Sequence, residues 1–257
     1  MKPIVVPVDF TANAINAAHY AADVALAAQT DIHLLHVFEV PVVPAEAPVG
    51  CLFDEMEKNA RDLLDSLSAD LRERTRRQVT VTAVLEIGSP EFAIREYCNR
   101  TTPLLAVMGT PGIRDLPCPV LIVPPGTAFR AIRKIAIACD LTELEQGMPV
   151  SLTFLKDLKE MLACHFEVIN VTTEKASRRE NADFERYEWK EWMRDVVPEV
   201  HVIKAATIDE GIRSYLLEHD VDWLILFPKH HGILEFHHSL SKKILLHCPV
   251  PVISVHE

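Results

Sequence analysis

Short, almost unbroken apolar runs rich in β-branched residues recur at 3–8, 33–38, 79–85, 104–108 and 119–123, with polar, helically spaced segments between them. Runs that are apolar on both faces are what parallel strands need when helices cover both sides of the sheet. Residues 12–28 are rich in alanine, which suits a helix lying close on a sheet. Residues 54–77 place Met56, Ala60, Leu63, Leu64, Leu67 and Leu71 along one side with Arg and Asp opposite, the stripe of an amphipathic helix. Ser89-Pro90 reads as an N-cap followed by proline at the first helical position.

The same order returns in the second half, with strands predicted at 134–139, 166–171, 199–204, 223–227 and 250–255, and with Thr142-x-x-Glu145 and Thr207-x-x-Glu210 as capping boxes. The wording of the halves also matches. Ile4-Val5-Val6-Pro7-Val8-Asp9-Phe10-Thr11 is echoed by Ile135-Ala136-Ile137-Ala138-Cys139-Asp140-Leu141-Thr142, and Cys118-Pro119-Val120 by Cys248-Pro249-Val250, at the same offset to within one residue. Self-similarity at both ends of a half-length unit predicts two tandem domains, 1–126 and 131–257, joined near Pro124-Pro125-Gly126-Thr127. Each half alternates strand and helix, so the expected class is α/β, a doubly wound parallel sheet with right-handed helical crossovers.

One connection departs from this scheme. Residues 109–117 are fewer than the roughly dozen that a helical crossover between parallel strands takes, whereas 232–247 in the second half suffice. Either a loop and helix near 113–116 are absent from this sequence, or the strand at 119–123 joins its sheet by an unusual route.

Composition narrows the function. With 26 Lys and Arg against 37 Asp and Glu, the net charge of −11 argues against a nucleic-acid partner. No apolar run approaches the roughly 20 residues of a membrane helix, and the N-terminus lacks a signal-peptide pattern, so the expected address is cytoplasmic. Six cysteines, Cys51, Cys98, Cys118, Cys139, Cys164 and Cys248, form no Cys-x-x-Cys pair and read as buried reduced thiols.

Four segments together resemble the universal stress protein family in its tandem form. They are Pro7-Val8-Asp9-Phe10-Thr11, Leu34-Leu35-His36-Val37, Val107-Met108-Gly109-Thr110-Pro111-Gly112, and Cys118-Pro119-Val120-Leu121-Ile122-Val123-Pro124. The resemblance implies five-stranded parallel sheets of order 3-2-1-4-5, of the adenine-nucleotide alpha-hydrolase-like type. It also implies ATP or ADP in the first domain, with Asp9 on the adenine, Val37 offering backbone contacts, and Gly109 and Gly112 approaching the phosphates. The corresponding residues of the second domain are Asp140 and Val171. The family's phosphate pattern is Gly, two residues, Gly, nine residues, Gly and Ser or Thr, and this sequence keeps only its start. Phe227 and His230 replace the two glycines in the second half, which makes that domain degenerate. The family also pairs domains through fifth strands, which implies an intramolecular domain pair or a homodimer.

Each candidate has a structural reading beside the functional one. Asp9 and Asp140 sit at the carboxyl ends of first strands, where doubly wound sheets bind ligands, yet an aspartate there also caps a turn. Gly109-Thr110-Pro111-Gly112 is either a phosphate nest or a turn. Ser89 lacks the frame of a nucleophile elbow and reads as a cap. His230, His231, His237, His238 and His247 match no closed zinc motif, so no metal is expected there. Arg72, Arg74, Arg76 and Arg77 read as cations complementing a helix C-terminus. Tyr187, Trp189 and Trp192 either cover the sheet or form an interface. Two functions stay open: a stress-linked regulatory module that binds adenine nucleotide with at most weak ATP hydrolysis, and an interaction protein without nucleotide. A true adenylating enzyme would need an intact phosphate loop and a catalytic set, and neither is visible.

Overall fold

Alanine at the helix and β-branched residues at the strand let the first two elements meet closely. Ile4, Val5 and Val6 of β1 (Ile4–Pro7) have no exposed surface, and neither do Ala17, Ala18, Ala21, Ala22 and Ala25 of α1 (Ala12–Ala28). The computed structural model describes residues 2–39, 49–110, 116–138, 149–173, 199–227, 244 and 248–255, the side chains of 49–52 and 149–152 excepted. It divides into two compact units, Met1–Phe129 and Arg130–Glu257.

The first unit continues with β2 (Ile32–Phe38), α2 (Val49–Arg74), β3 (Val81–Ile87), α3 (Pro90–Thr101), β4 (Leu105–Met108) and β5 (Val120–Ile122). Its strands lie in the order β3-β2-β1-β4-β5 and every neighbouring pair is parallel. This is the doubly wound α/β sheet of order 3-2-1-4-5. Helix α2 buries Ala60, Leu64, Leu67 and Leu71 on the sheet, while Leu63, on the expected apolar face, is half exposed.

Helix α2 also ends earlier than its periodicity predicts. Arg76 and Arg77 take left-handed φ angles of 49° and 59°, so they lie in the turn beyond the helix. Arg72 and Arg74 do occupy the last turn, and Arg74 grips Asp23 of α1 with two bonds of 3.0 and 2.7 Å. Ser89 stands at the N-cap of α3 with Pro90 in the first turn, as expected, although its hydroxyl makes no capping bond.

The short connection after β4 does not divert the strand that follows. Ala106 pairs with Val120 and Met108 with Ile122, so residues 109–119 alone carry the chain to a parallel neighbour. Leu116 and Cys118, on the return leg, are buried. The suspected gap at 113–116 falls mostly outside the described residues.

The second unit repeats the plan with β6 (Lys134–Ala138), α4 (Pro149–Leu162), β7 (His165–Thr172), β8 (Glu199–Lys204), α5 (Ile208–Glu218), β9 (Trp223–Leu226) and β10 (Val252–Ser254). Its order is β8-β7-β6-β9-β10, again parallel throughout. Thr207 caps α5 by accepting from the Glu210 amide at 3.2 Å, as its capping box predicts. Thr142 and Glu145 lie outside the described residues. Among the described residues Trp223 and Phe166 are the largest fully buried side chains, and Ile169, Ile212, Tyr215, Leu224 and Val252 pack in one cluster.

Cys98, Cys118, Cys164 and Cys248 are free and buried, and burial pushes the thiols of Cys164 and Cys248 up to about 11. Unreactive, apolar-packed cysteines of this kind are structural. Among the described residues no helix is long and apolar enough to cross a membrane.

Candidate functional site

In the first unit the strand order reverses direction between β1 and β4, because the chain builds outward through β2 and β3 and then returns to the other side of β1. Ligand crevices in such sheets open at the carboxyl ends of the strands flanking that reversal. Asp9 stands there. The Val8 amide still donates to the Leu35 carbonyl at 2.8 Å, and one residue later the ladder ends with the Asp9 side chain exposed.

The turn that follows is built for this carboxylate. Phe10 adopts a left-handed φ of 60°, uncommon for a non-glycine residue, and so turns the chain back within one position. Asp9 Oδ1 then accepts from the Thr11 amide at 3.0 Å and from the Thr11 hydroxyl at 2.6 Å. Thr11 caps α1 in turn, its Oγ1 accepting from the Ala14 amide at 3.3 Å. Partial burial pulls the Asp9 carboxyl upward, but the two Thr11 bonds and nearby His36 outweigh it, so Asp9 lies below the ordinary carboxylate value. Its contribution to stability is therefore complete above the unfolded value and disappears as pH falls through the lowered one.

Replacing Thr11 by alanine should cost about 1 kcal/mol through the lost cap and return Asp9 toward the ordinary value. Urea unfolding together with NMR titration of the Asp9 carboxyl checks both. An Asp9 titration unchanged in T11A would contradict this account.

Val37 lies on β2 two residues beyond the pair Pro7–Leu35, as Asp9 does on β1, so the two share a level at the strand ends. Beside it, His36 Nδ1 lies 2.7 Å from the Val8 carbonyl, which can only accept, so this nitrogen carries the proton. The His36 ring meets Phe10 at 4.7 Å between centroids. Phe10, Thr11 and His36 thus shape the site around Asp9. Sequence reasoning placed all three in matching segments and gave none a role, because the left-handed turn at Phe10 has no glycine to announce it.

Gly109 follows directly on β4. A Cβ there would sit 2.3 Å from the Asn13 carbonyl oxygen and 2.6 Å from its carbon, so only glycine lets β4 end against the first turn of α1. Close helix packing accounts for this glycine without any phosphate. Gly112 lies outside the described residues.

A model of the universal stress protein family matches residues 1–124, nearly the whole first unit. The first unit belongs to the universal stress protein family. Its full length is similar in fold to a universal stress protein from Archaeoglobus fulgidus DSM 4304, with 16% identity, a TM-score of 0.76, and coverage of 99% of this chain and 98% of that one. A functionally unknown protein from Pseudomonas aeruginosa PAO1 is similar at 13% identity and a TM-score of 0.57, over 100% of this chain and 92% of that one. No curated protein matches.

The second unit has the same strand order but different chemistry at the corresponding edge. Phe227, half-buried, follows β9 where Gly109 follows β4. Val171, the counterpart of Val37, turns its methyls toward Gly211, where a Cβ would meet them at 2.5 and 3.0 Å. Asp140, His230, His231, His237, His238, His247, Tyr187, Trp189 and Trp192 all lie outside the described residues.

Proposed function

We propose that the chain is a tandem, stress-linked regulatory module whose first unit, 1–126, holds adenine nucleotide, ATP or ADP, and whose second, 131–257, is a degenerate duplicate. The observation that carries this reading is the exposed, ionised Asp9 carboxylate at the reversal of strand order. Thr11 uses Oδ1 for both of its bonds, which leaves Oδ2 for a donor such as the exocyclic amine of adenine. Val37 offers backbone groups at the same level, and Gly109 follows β4, where the resemblance has it and Gly112 approach the phosphates. Phe227 in place of a glycine supports the loss of that approach in the second unit.

A second reading has its own observation. Gly109 is explained by Asn13, and residues 109–119 leave no room for the family's longer phosphate loop, which favours an interaction module without nucleotide.

Purified protein, denatured and analysed by mass spectrometry, should release about one adenine nucleotide per chain if the first reading holds. Asp9→Ala should then weaken binding by ten- to a hundredfold, roughly the 1.5–3 kcal/mol of a hydrogen bond to a charged group. No released nucleotide, and no binding when ATP is added back, would establish the interaction module instead. An undiminished affinity in D9A would remove Asp9 from the site.

A further inference from the structure

At the amino-terminal side of the second sheet, strand register sets two carboxylates face to face. Glu167 on β7 pairs directly with Glu199 on β8, an arrangement in which like charges repel. His201, two residues along β8, projects from the same face as Glu199. One ligand atom from each of Glu167, Glu199 and His201 lies within 4.8 Å of the others. The His201 Nε2 atom is buried, has no hydrogen-bond partner among the described residues, and lies 3.6 Å from a Glu199 oxygen.

The supporting groups orient this set. Tyr215 of α5 donates to Glu167 Oε2 at 2.6 Å, and Lys134 Nζ approaches Oε1 at 3.0 Å. The His201 ring packs against Tyr215 and His219 at 5.3 and 5.9 Å, while those two stack at 4.0 Å. Lys134 neutralises one carboxylate, and among the described residues the second carboxylate faces the His201 imidazole at 3.6 Å.

We propose that Glu167, Glu199 and His201 form a binding site for a divalent transition-metal cation of the zinc class. One imidazole nitrogen and two carboxylates suit zinc better than magnesium or calcium, which prefer oxygen ligands throughout. Ligand atoms around tetrahedral zinc stand about 3.4 Å apart, given bonds of about 2.0–2.2 Å. Rotation of the Glu199 side chain, which is 65% exposed, draws the set inward. Three protein ligands leave the fourth position to water. Lys134 competes with the cation for Glu167, so its removal should favour binding.

The test is a calorimetric titration of zinc chloride into the untagged full chain after chelator treatment. The parent protein is a variant in which His230, His231, His237 and His238 are alanine, so that the histidine-rich segment cannot supply the signal. We expect one zinc per chain. Glu199→Gln and His201→Ala should each weaken binding by at least the roughly tenfold that loss of an outer-shell partner costs. Glu199→Gln is decisive, because an exposed side chain can change without disturbing the core. In Lys134→Met, zinc should raise the melting midpoint by more than in the parent. Absence of zinc binding in the parent, or unchanged affinity in Glu199→Gln, would overturn the proposal, as would a zinc-induced shift in Lys134→Met no larger than the parent's.

Discussion

Gly109→Ala is expected to destabilise the first unit by about 2–3 kcal/mol, at the upper end of the usual cost of overpacking. The added Cβ would meet the Asn13 carbonyl oxygen at 2.3 Å, its carbon at 2.6 Å and the Ala14 amide nitrogen at 3.1 Å. All three are backbone atoms, so no rotamer change relieves the clash, and α1 itself must move. Its buried alanine face and its Thr11 cap both resist that movement. Gly211→Ala is the comparison, since the Cβ there meets the side-chain methyls of half-buried Val171, which can rotate. That variant should lose less than half as much. Urea unfolding of nucleotide-free protein measures both without any contribution from a ligand. A G109A variant within about 0.5 kcal/mol of the parent, the range of an ordinary surface substitution, would refute the packing account.

The same residue shows how far the sequence could be read. Gly109 was visible as part of a glycine-rich segment after a strand, and both a phosphate nest and a turn fitted it. Nothing in one chain of letters says that Asn13 comes within reach of it, because that contact depends on how tightly an alanine-rich helix settles on the sheet. Parallel pairing was legible in the apolar runs and their alternation with helices, and the duplication in the repeated Asp9 and Asp140 segments, whereas the strand order followed only from the resemblance to the universal stress protein family. Leu63 was misplaced because a helical stripe wider than the contact leaves its edge in water. The cluster of Glu167, Glu199 and His201 was not legible at all, for it arises from the register of β7 on β8. The histidine-rich stretch at 230–238 drew the metal question to itself because its residues are adjacent in sequence.

Breaking the pair at the centre of that cluster should give the other large loss. Glu167 is buried, and Lys134→Met would leave its carboxylate with the Tyr215 hydrogen bond and the nearby His201 ring but without its paired ammonium, costing about 3 kcal/mol, the lower end for a broken buried pair because Lys134 is itself one-third exposed. The double change Lys134→Met with Glu167→Leu removes both charges and should recover most of that loss, because a buried ion pair repays its desolvation only in part. Chelator is present throughout, so that no metal substitutes for the lysine.

Two arms of the pH profile follow from the same contacts. Burial pulls the Glu167 carboxyl upward, but the bonds from Tyr215 and Lys134 and the charges of Lys134 and His201 outweigh it, so its value is lowered. Its contribution is complete above the unfolded value near 4.5 and is lost as pH falls through the lowered one. Burial first, and then the bond to Glu167, raise the Tyr215 hydroxyl. That contribution is complete below the unfolded value near 10 and fades as pH rises toward the raised one. Urea midpoints between pH 3 and 11 should therefore show a shallower acid slope in Glu167→Gln and a shallower alkaline slope in Tyr215→Phe. If both variants keep the parent's slopes, the Glu167–Tyr215 bond is not what sets the pH limits of the second unit.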